Sequence, residues 1–194
     1  MPEKVFHSLD LRSRENCEYQ VVNNSFPKGD YGLPPFSIMG AGRSIAGSFF
    51  GNGTTVLQLS TNSRLIELDV RRQQVRVGAS VTVAELYNFL VSRGFSLNSL
   101  PSYPGVSIGG CIAANVHGQH HYREGCFGRN LVSFLLGHPE NGLKKVSPDI
   151  DQRLFDLTVG GFGLTGLILE ATFRITPLAT DVLRVSVRKF GTIL

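Results

Sequence analysis

The chain has 194 residues, of which 42% are hydrophobic, and its formal net charge is +4 at pH 7. This length provides one hydrophobic core or two small lobes and excludes a large multidomain enzyme. Mean hydropathy is +0.04. Because no run of about 18 apolar residues and no signal peptide is present, we expect no transmembrane segment and a cytoplasmic location. Lysine and arginine are scattered without a basic run, which argues against a nucleic-acid partner.

The first elements in chain order are short strands. Residues 1–34 are polar, and the prolines and glycines at their end predict an irregular segment. Two short strands are predicted at Phe36–Met39 and Thr55–Leu59. Residues 65–70 and 74–79 alternate apolar and polar side chains, as in a hairpin with one buried face. We expect these strands to form one small sheet.

A capping box marks the clearest helix. Thr82 and Glu85 have the spacing of an N-cap residue and its partner, and apolar residues at helical intervals follow them. Gly94 is the stop signal. The sequence therefore predicts a helix between these positions.

The second half alternates small-residue and apolar segments. Residues 107–118 contain small residues that suit a helix packed tightly against another backbone, and residues 151–158 are a second helical candidate. Residues 164–178 predict a long strand, and residues 183–190 predict another. We expect the strand at 164–178 to belong to a second, mixed sheet.

The chain has three cysteines, which are Cys17, Cys111 and Cys126. Their odd number and the lack of a CxxC pair fit neither a disulfide framework nor a redox motif. We expect free thiols in a reducing compartment.

The 22 glycines concentrate in three clusters, at residues 40–53, 105–118 and 160–166. Residues 40–47 read GAGRSIAG directly after a predicted strand. Such a run of amides can form a concave nest that binds phosphate oxygens. The run lacks the GK[ST] of a P-loop and the following helix and acidic residue of a Rossmann turn.

The second and third clusters indicate the same kind of ligand. Residues 104–118 read PGVSIGGCIAANVHG, where Gly109 and Gly110 would let a pyrophosphate lie against amides at a helix N-terminus. Residues 159–168 read VGGFGLTGLI, with glycines directly before a strand. This pattern suits a flat ring that passes close to the backbone.

These clusters, in this order, resemble the FAD-binding domain of the vanillyl-alcohol oxidase and p-cresol methylhydroxylase flavoproteins (PCMH-type), and above all its sugar-oxidising members. The resemblance covers about residues 36–178. It implies an α+β fold in which FAD lies between two α+β lobes, at about 35–100 and 101–180 of a domain spanning 35–180. Residues 181–194 would begin a connection to a C-terminal substrate domain that is absent from this chain.

Carried over by position, the resemblance implies these FAD contacts. The pyrophosphate would be lined by Gly40, Ala41, Gly42, Arg43 and Ser44. The diphosphate and ribityl chain would be flanked by Pro104, Gly105, Val106, Gly109 and Gly110. The isoalloxazine ring would lie beside Ala114, His117 and Gly118, with Gly125 and Gly128 nearby. Backbone contacts to the ring or the adenine would come from Gly163, Gly166 and Ile168.

Two departures from the family pattern matter. Several members attach FAD covalently through a histidine at the position of Arg43, and because arginine cannot form that bond we expect non-covalent FAD. Ile45 stands where the sugar-oxidising members commonly carry an aromatic residue. The substrate itself is therefore not inherited from the resemblance.

The implied function is an FAD-dependent oxidoreductase that oxidises a C–H or CH–OH group, such as that of a sugar or polyol-like small molecule, by hydride transfer to flavin N5. His117 is the candidate catalytic residue, and the substrate would be supplied through the absent domain or a partner chain. The alternative is an FAD-binding electron-transfer subunit without its own complete active site. We expect no metal, although His117, His120 and His121 lie close together, because no carboxylate or cysteine stands at ligand spacing.

Overall fold

The computed structural model describes residues 2–23, 35–60, 65–119, 121–138, 141–180, 182, 185–189 and 191. Its first sheet has four strands in the order β1-β2-β4-β3. They are β1 (Glu3–His7), β2 (Arg14–Val22), β3 (Phe36–Met39) and β4 (Thr55–Leu59). Strand β1 pairs antiparallel with β2, whereas β4 runs parallel to both β2 and β3.

The second sheet has five antiparallel strands in the order β5-β6-β10-β8-β9. They are β5 (Ile66–Asp69), β6 (Gln74–Gly78), β8 (Leu131–His138), β9 (Gly142–Val146) and β10 (Leu167–Arg174). A separate pair joins β7 (Phe95–Ser96) to β11 (Thr176–Pro177). Strand β10 lies between β6 and β8, so the centre of this sheet is built from segments far apart in the chain.

The helices connect these strands. They are α1 (Val83–Val91), α2 (Ile108–Ala113), α3 (His121–Glu124), a 3-10 helix (Phe127–Asn130) and α4 (Pro148–Thr158). The capping box of α1 is present: the Glu85 amide donates to Thr82 Oγ1 at 3.3 Å, and the Thr82 amide donates to Glu85 Oε2 at 2.9 Å. Gly94 follows with φ +76°, as its stop signal predicts. No helix in the described ranges has the length and apolar character that crossing a bilayer requires.

Two hydrophobic cores lie on opposite faces of the first sheet. Along β4, Val56 packs into a small core with aromatic residues such as Phe6 and Phe49. The alternate residues Leu57 and Leu59 join the large core under the second sheet and helices α1 and α2. This alternation follows from the period of two along a strand. The first sheet is therefore held against the second, and the predicted α+β class is confirmed.

The expectation of an irregular segment over residues 1–34 is wrong, because β1 and β2 lie within it. Both strands carry mostly polar side chains, and only residues such as Phe6 and Cys17 turn toward a core. Their strand conformation comes from pairing with each other and with β4, which composition does not reveal. Residues 24–34, including the proline-rich end, lie outside the described residues.

The expected single small sheet over residues 36–79 is also wrong. Strands β5 and β6 form the predicted hairpin but belong to the second sheet, because β6 pairs with β10. The chain therefore passes from the first sheet to the second between residues 59 and 66, and not near residue 100. A partner about 90 residues away leaves no local signal in the sequence.

At the C-terminal end, residues 185–189 form no regular element, so the predicted strand at 183–190 is wrong for them. Residues 183, 184 and 190 lie outside the described residues. Within the described ranges no neighbouring strand pairs with this segment, and a strand without a partner is not stable.

Candidate functional site

A cleft lies between the two sheets, where the loop after β3, the start of α2 and the loop before β10 meet. It consists of two adjoining cavities of about 170 Å³ and 390 Å³. Both are lined by Ile38, Gly40, Ala41, Ser107, Gly110, Ala113 and Phe162. Together they have the size typical of a ligand site, roughly 300–1,000 Å³.

The peptide between Gly40 and Ala41 is held from both sides of the cleft. Its carbonyl accepts a hydrogen bond from Gln58 Nε2 on β4 at 3.2 Å. Its N–H donates to Ser107 Oγ, at the start of α2, at 3.2 Å. A Cβ atom at Gly40 would overlap that same hydroxyl. A larger residue at this position would displace the Ser107 hydroxyl and break the hydrogen bonds that it accepts.

The residues of the loop that follows, 42–46, line the larger cavity, and their amides make no hydrogen bond within the described part of the chain. Gly42 has φ +66°, and such a left-handed residue is a usual part of an amide nest. The guanidinium carbon of Arg43, 6.0 Å from the centre of the Tyr103 ring, adds positive charge. This arrangement suits a phosphate group.

The amides at the start of α2 are already occupied. Ile108 donates to the carbonyl of Val81 at 2.8 Å, and Gly109 donates to that of Ala79 at 2.9 Å. Gly110 donates to Ser107 Oγ at 3.3 Å. The N–H groups that the sequence suggested for a pyrophosphate thus serve the packing of α2, and the anion site that remains is the loop over residues 42–46.

Gly109 is required by that packing. A Cβ atom at this position would lie 3.0 Å from Ala79 Cβ and 3.3 Å from the Ala79 carbonyl oxygen. The helix could not approach the second sheet so closely with a larger residue.

The loop before β10 forms the far wall. The Gly160 amide donates to the Ile112 carbonyl at 3.0 Å, and the Phe162 amide donates to the Ala113 carbonyl at 2.9 Å. These bonds fix the loop to the C-terminal end of α2. Gly163, with φ +83°, lies against Ile38 of β3. The wall is therefore apolar and built largely from backbone.

Two side chains in the cleft have unusual polar environments. Ser80 is one of the residues that line the smaller cavity, but its Oγ is itself buried and has no hydrogen-bond partner among the described residues. A buried hydroxyl normally finds a partner, so this atom is an exception in the wall of the cleft. Cys111 lines the larger cavity, and burial raises the pKa of its thiol to about 12. This thiol is neutral at physiological pH and a poor nucleophile.

Most of the residues predicted to contact the cofactor do line the cleft. They are Gly40, Ala41, Gly42, Arg43, Ser44, Val106, Gly109, Gly110, Ala114, Gly163, Gly166 and Ile168. The predicted residues that line neither cavity are Pro104, Gly105, His117, Gly118, Gly125 and Gly128. Among these, Gly118 packs against the Leu100 backbone, and the Gly128 amide donates to Asn115 Oδ1 at 3.1 Å. Packing accounts for those two glycines.

His117, the predicted catalytic residue, is exposed at the end of the segment that follows α2. The centres of the His117 and His121 rings are 5.0 Å apart, and His121 Nδ1 lies 3.0 Å from the Gly118 carbonyl oxygen. Among the described residues no group of three or more His, Cys, Asp or Glu side chains could hold a metal ion. His120 lies outside the described residues.

Several cleft residues were absent from the prediction. Among them are Ile38, Gln58, Ser80, Ser107, Ala113 and Phe162. Ser107 carried a usable signal, since a serine directly before a helix is a typical N-cap. Gln58 and Ser80 carried none, because a polar residue in a strand or turn is ordinarily exposed.

Comparison with known proteins agrees with this geometry. A profile of the FAD binding domain family matches residues 30–142. Decaprenylphosphoryl-beta-D-ribose oxidase of Mycolicibacterium smegmatis is 33% identical over 142 residues, covering 73% of this chain and 31% of that protein. D-arabinono-1,4-lactone oxidase of Eremothecium gossypii is 30% identical over 107 residues, covering 55% and 20% respectively. The chain thus spans about a third or less of the length of these relatives.

Solved structures share the fold. The 6-hydroxy-D-nicotine oxidase of Arthrobacter nicotinovorans superposes with a TM-score of 0.67 at 19% identity, over 74% of this chain and 31% of that one. An alkyldihydroxyacetonephosphate synthase superposes with a TM-score of 0.66 at 22% identity, over 76% and 30%. At such identities the likeness shows the fold, and it confirms the two-sheet α+β architecture. Since the family profile also covers more than half of the sequence, the chain belongs to the FAD binding domain family of the PCMH-type flavoproteins, and its cofactor is FAD.

Proposed function

We propose that the cleft holds FAD non-covalently, as the cofactor part of an oxidoreductase that oxidises a CH–OH group of a sugar or polyol-like substrate. The observation that carries this proposal is that one cleft contains both a loop suited to bind an anion and an apolar slot. Residues 42–46, whose amides donate to no acceptor among the described residues, line the larger cavity, and apolar residues including Ile38 and Ala113 line both cavities.

The residues present fit FAD part by part. A diphosphate requires several N–H donors and positive charge, which the loop over residues 42–46 and its Arg43 provide. Flat rings require apolar walls with close backbone approach, as at Ile38 and Gly163. An elongated dinucleotide suits two adjoining cavities.

The side chains in the cleft support non-covalent attachment. A covalent bond to flavin requires a nucleophile such as an imidazole or a thiolate. Arg43 supplies neither, and the Cys111 thiol stays protonated because its pKa is raised to about 12. His117 and His121 do not line the two cavities.

FAD, when bound, supplies the hydride acceptor at flavin N5. The protein's own part is to bind the diphosphate, orient the ring and exclude water. Oxidation of an alcohol also needs a group to take the hydroxyl proton. We keep His117 as the candidate, because Ala114 and Val116 of the same segment line the larger cavity.

The substrate class is supported by the names of the relatives. Besides the two oxidases above, they include an L-galactono-1,4-lactone dehydrogenase of Brassica oleracea, 28% identical over 165 residues. We therefore propose a sugar, a sugar lactone or a polyol as the electron donor.

The test is reduction of the bound flavin by substrate. The full chain is loaded with FAD, and photoreduction first establishes that the flavin can be reduced. The oxidised protein is then mixed anaerobically with sugars, sugar lactones and polyols while the visible flavin band is followed. Bleaching by a member of this set supports the proposal, and His117→Ala should slow it strongly while leaving photoreduction unchanged.

A second candidate is an FAD-binding module that passes electrons and lacks a complete active site. It is favoured by the side chains that line the two cavities, which in the described part of the chain include no carboxylate and no imidazole. Photoreduction without bleaching by any donor of the set would favour this candidate and contradict the first.

A further inference from the structure

Phe162 has an unusual backbone conformation for a large side chain. Its φ is +51°, in the left-handed region that bulky residues rarely adopt. Its ring is 58% exposed, so no packing in a core holds it there. Strained residues of this kind concentrate at ligand-binding positions, which makes the conformation a reason to look for a ligand.

The strain is imposed by the attachment of the loop to α2. The Phe162 amide donates to the Ala113 carbonyl at 2.9 Å, and the Gly160 amide donates to the Ile112 carbonyl at 3.0 Å. Gly161 leaves no space for a side chain, because a Cβ atom there would overlap the Leu157 carbonyl. The loop therefore holds the backbone of Phe162 in one place beside α2.

That place is the junction of the two cavities, since Phe162 lines both. A ligand that occupies both cavities has to pass the ring. Leu164, two residues further in the same loop, is 90% exposed and lines neither cavity. Exposure alone thus does not explain the position of Phe162.

Building on the proposed function, we infer that Phe162 is a latch on bound FAD. The ring packs on the cofactor where it crosses from one cavity to the other, loses its exposure to water, and slows release. An aromatic ring in such contact stabilises a complex beyond the effect of the area that it buries. With the buried area added, loss of the ring should speed FAD release about ten-fold or more.

The experiment measures the rate of FAD release from the full chain by the rise in flavin fluorescence after rapid dilution. Phe162→Gly removes the ring and relieves the positive φ, so its apoprotein should melt at the same temperature as the parent or higher. Phe162→Tyr keeps the ring and should release FAD at nearly the parent rate. Leu164→Gly is the matched control in the same loop and should leave the rate unchanged.

The outcomes separate the latch from the proposed function. If the parent chain binds no FAD, the proposed function is wrong and the latch with it. If the parent binds FAD but Phe162→Gly releases it at the parent rate, the latch alone is wrong. If Leu164→Gly accelerates FAD release as much as Phe162→Gly does, the effect comes from loop mobility, and the latch is again wrong.

Discussion

At the scale of single residues, Ser107 joins the two sides of the cleft through one hydroxyl oxygen. Its Oγ accepts the amide of Gly110, as an N-cap of α2, and the amide of Ala41 across the cleft. The residue is only 2% exposed, so its hydroxyl is shielded from water. Loss of the hydroxyl would leave two donors unsatisfied.

We predict that Ser107→Ala lowers the free energy of unfolding by about 1–2 kcal/mol and weakens FAD binding, because the N-cap and the anchor of Ala41 are lost together. The control is Ser147→Ala. Ser147 is also a buried N-cap serine, of α4, but it makes no side-chain cap hydrogen bond. Urea unfolding and FAD titration of both variants check the prediction, and equal losses in the two would refute the role assigned to Ser107.

A second prediction concerns Cys111, whose pKa burial raises from 9.0 to about 12. Above about pH 9 the thiol ionises in the unfolded chain but not in the folded protein, so the unfolded state gains stability. The contribution of the Cys111 thiol to the free energy of unfolding is fully present below pH 9. It is lost between pH 9 and 12, at about 1.4 kcal/mol per pH unit. Cys111→Ala should show a shallower decline in unfolding free energy between pH 9 and 10.5. The other groups that titrate at alkaline pH are the same in both proteins. If the unfolding free energies of the two proteins decline with the same slope, the prediction for Cys111 is wrong.

At the scale of elements, the loop after β3 depends on the absence of a side chain at Gly40. We predict that Gly40→Ala displaces Ser107 Oγ, moves the amides of residues 42–46 and weakens FAD binding at least ten-fold, about 1.4 kcal/mol. Gly51→Ala is the matched control, because a Cβ atom there meets only Thr54 Cγ2 at 3.7 Å. FAD titration by fluorescence compares the two, and similar affinities would show that the close approach at Gly40 does not matter.

Elements with local signals were predictable, and those built by distant pairing were not. The hairpin of β5 and β6 and the capping box of α1 are encoded within a few residues, and both are present. Strand β2 is mostly polar and is held by pairing with β1 and β4, which its sequence does not reveal.

The same distinction applies to the candidate site. The spacing of glycines in residues 40–47 indicated an anion-binding loop, and the amides of residues 42–46 donate to no acceptor among the described residues. The pair Gly109 and Gly110 suggested the same use, but carbonyls of Ala79 and Val81 in the facing segment engage the start of α2. Which donors remain free depends on the tertiary fold.

At the scale of the whole molecule, β10 completes the folded unit. The family profile ends at residue 142, yet β10 at Leu167–Arg174 pairs with both β6 and β8. Without β10 the second sheet would lose its central strand and the cleft its residues Leu167 and Ile168. The predicted domain of residues 35–180 includes β10 and stays a prediction, while β1 and β2 extend the first sheet toward the N-terminus.

The central claim is that FAD lies in this cleft without a covalent bond, and acid precipitation of the FAD-loaded full chain tests it most directly. The visible spectrum should first show a flavin band at about one FAD per chain, as expected for one cleft. Acid should then release the yellow colour into the supernatant, where chromatography identifies intact FAD. A chain that stays colourless with added FAD, or colour that remains with the precipitated protein, would contradict the account.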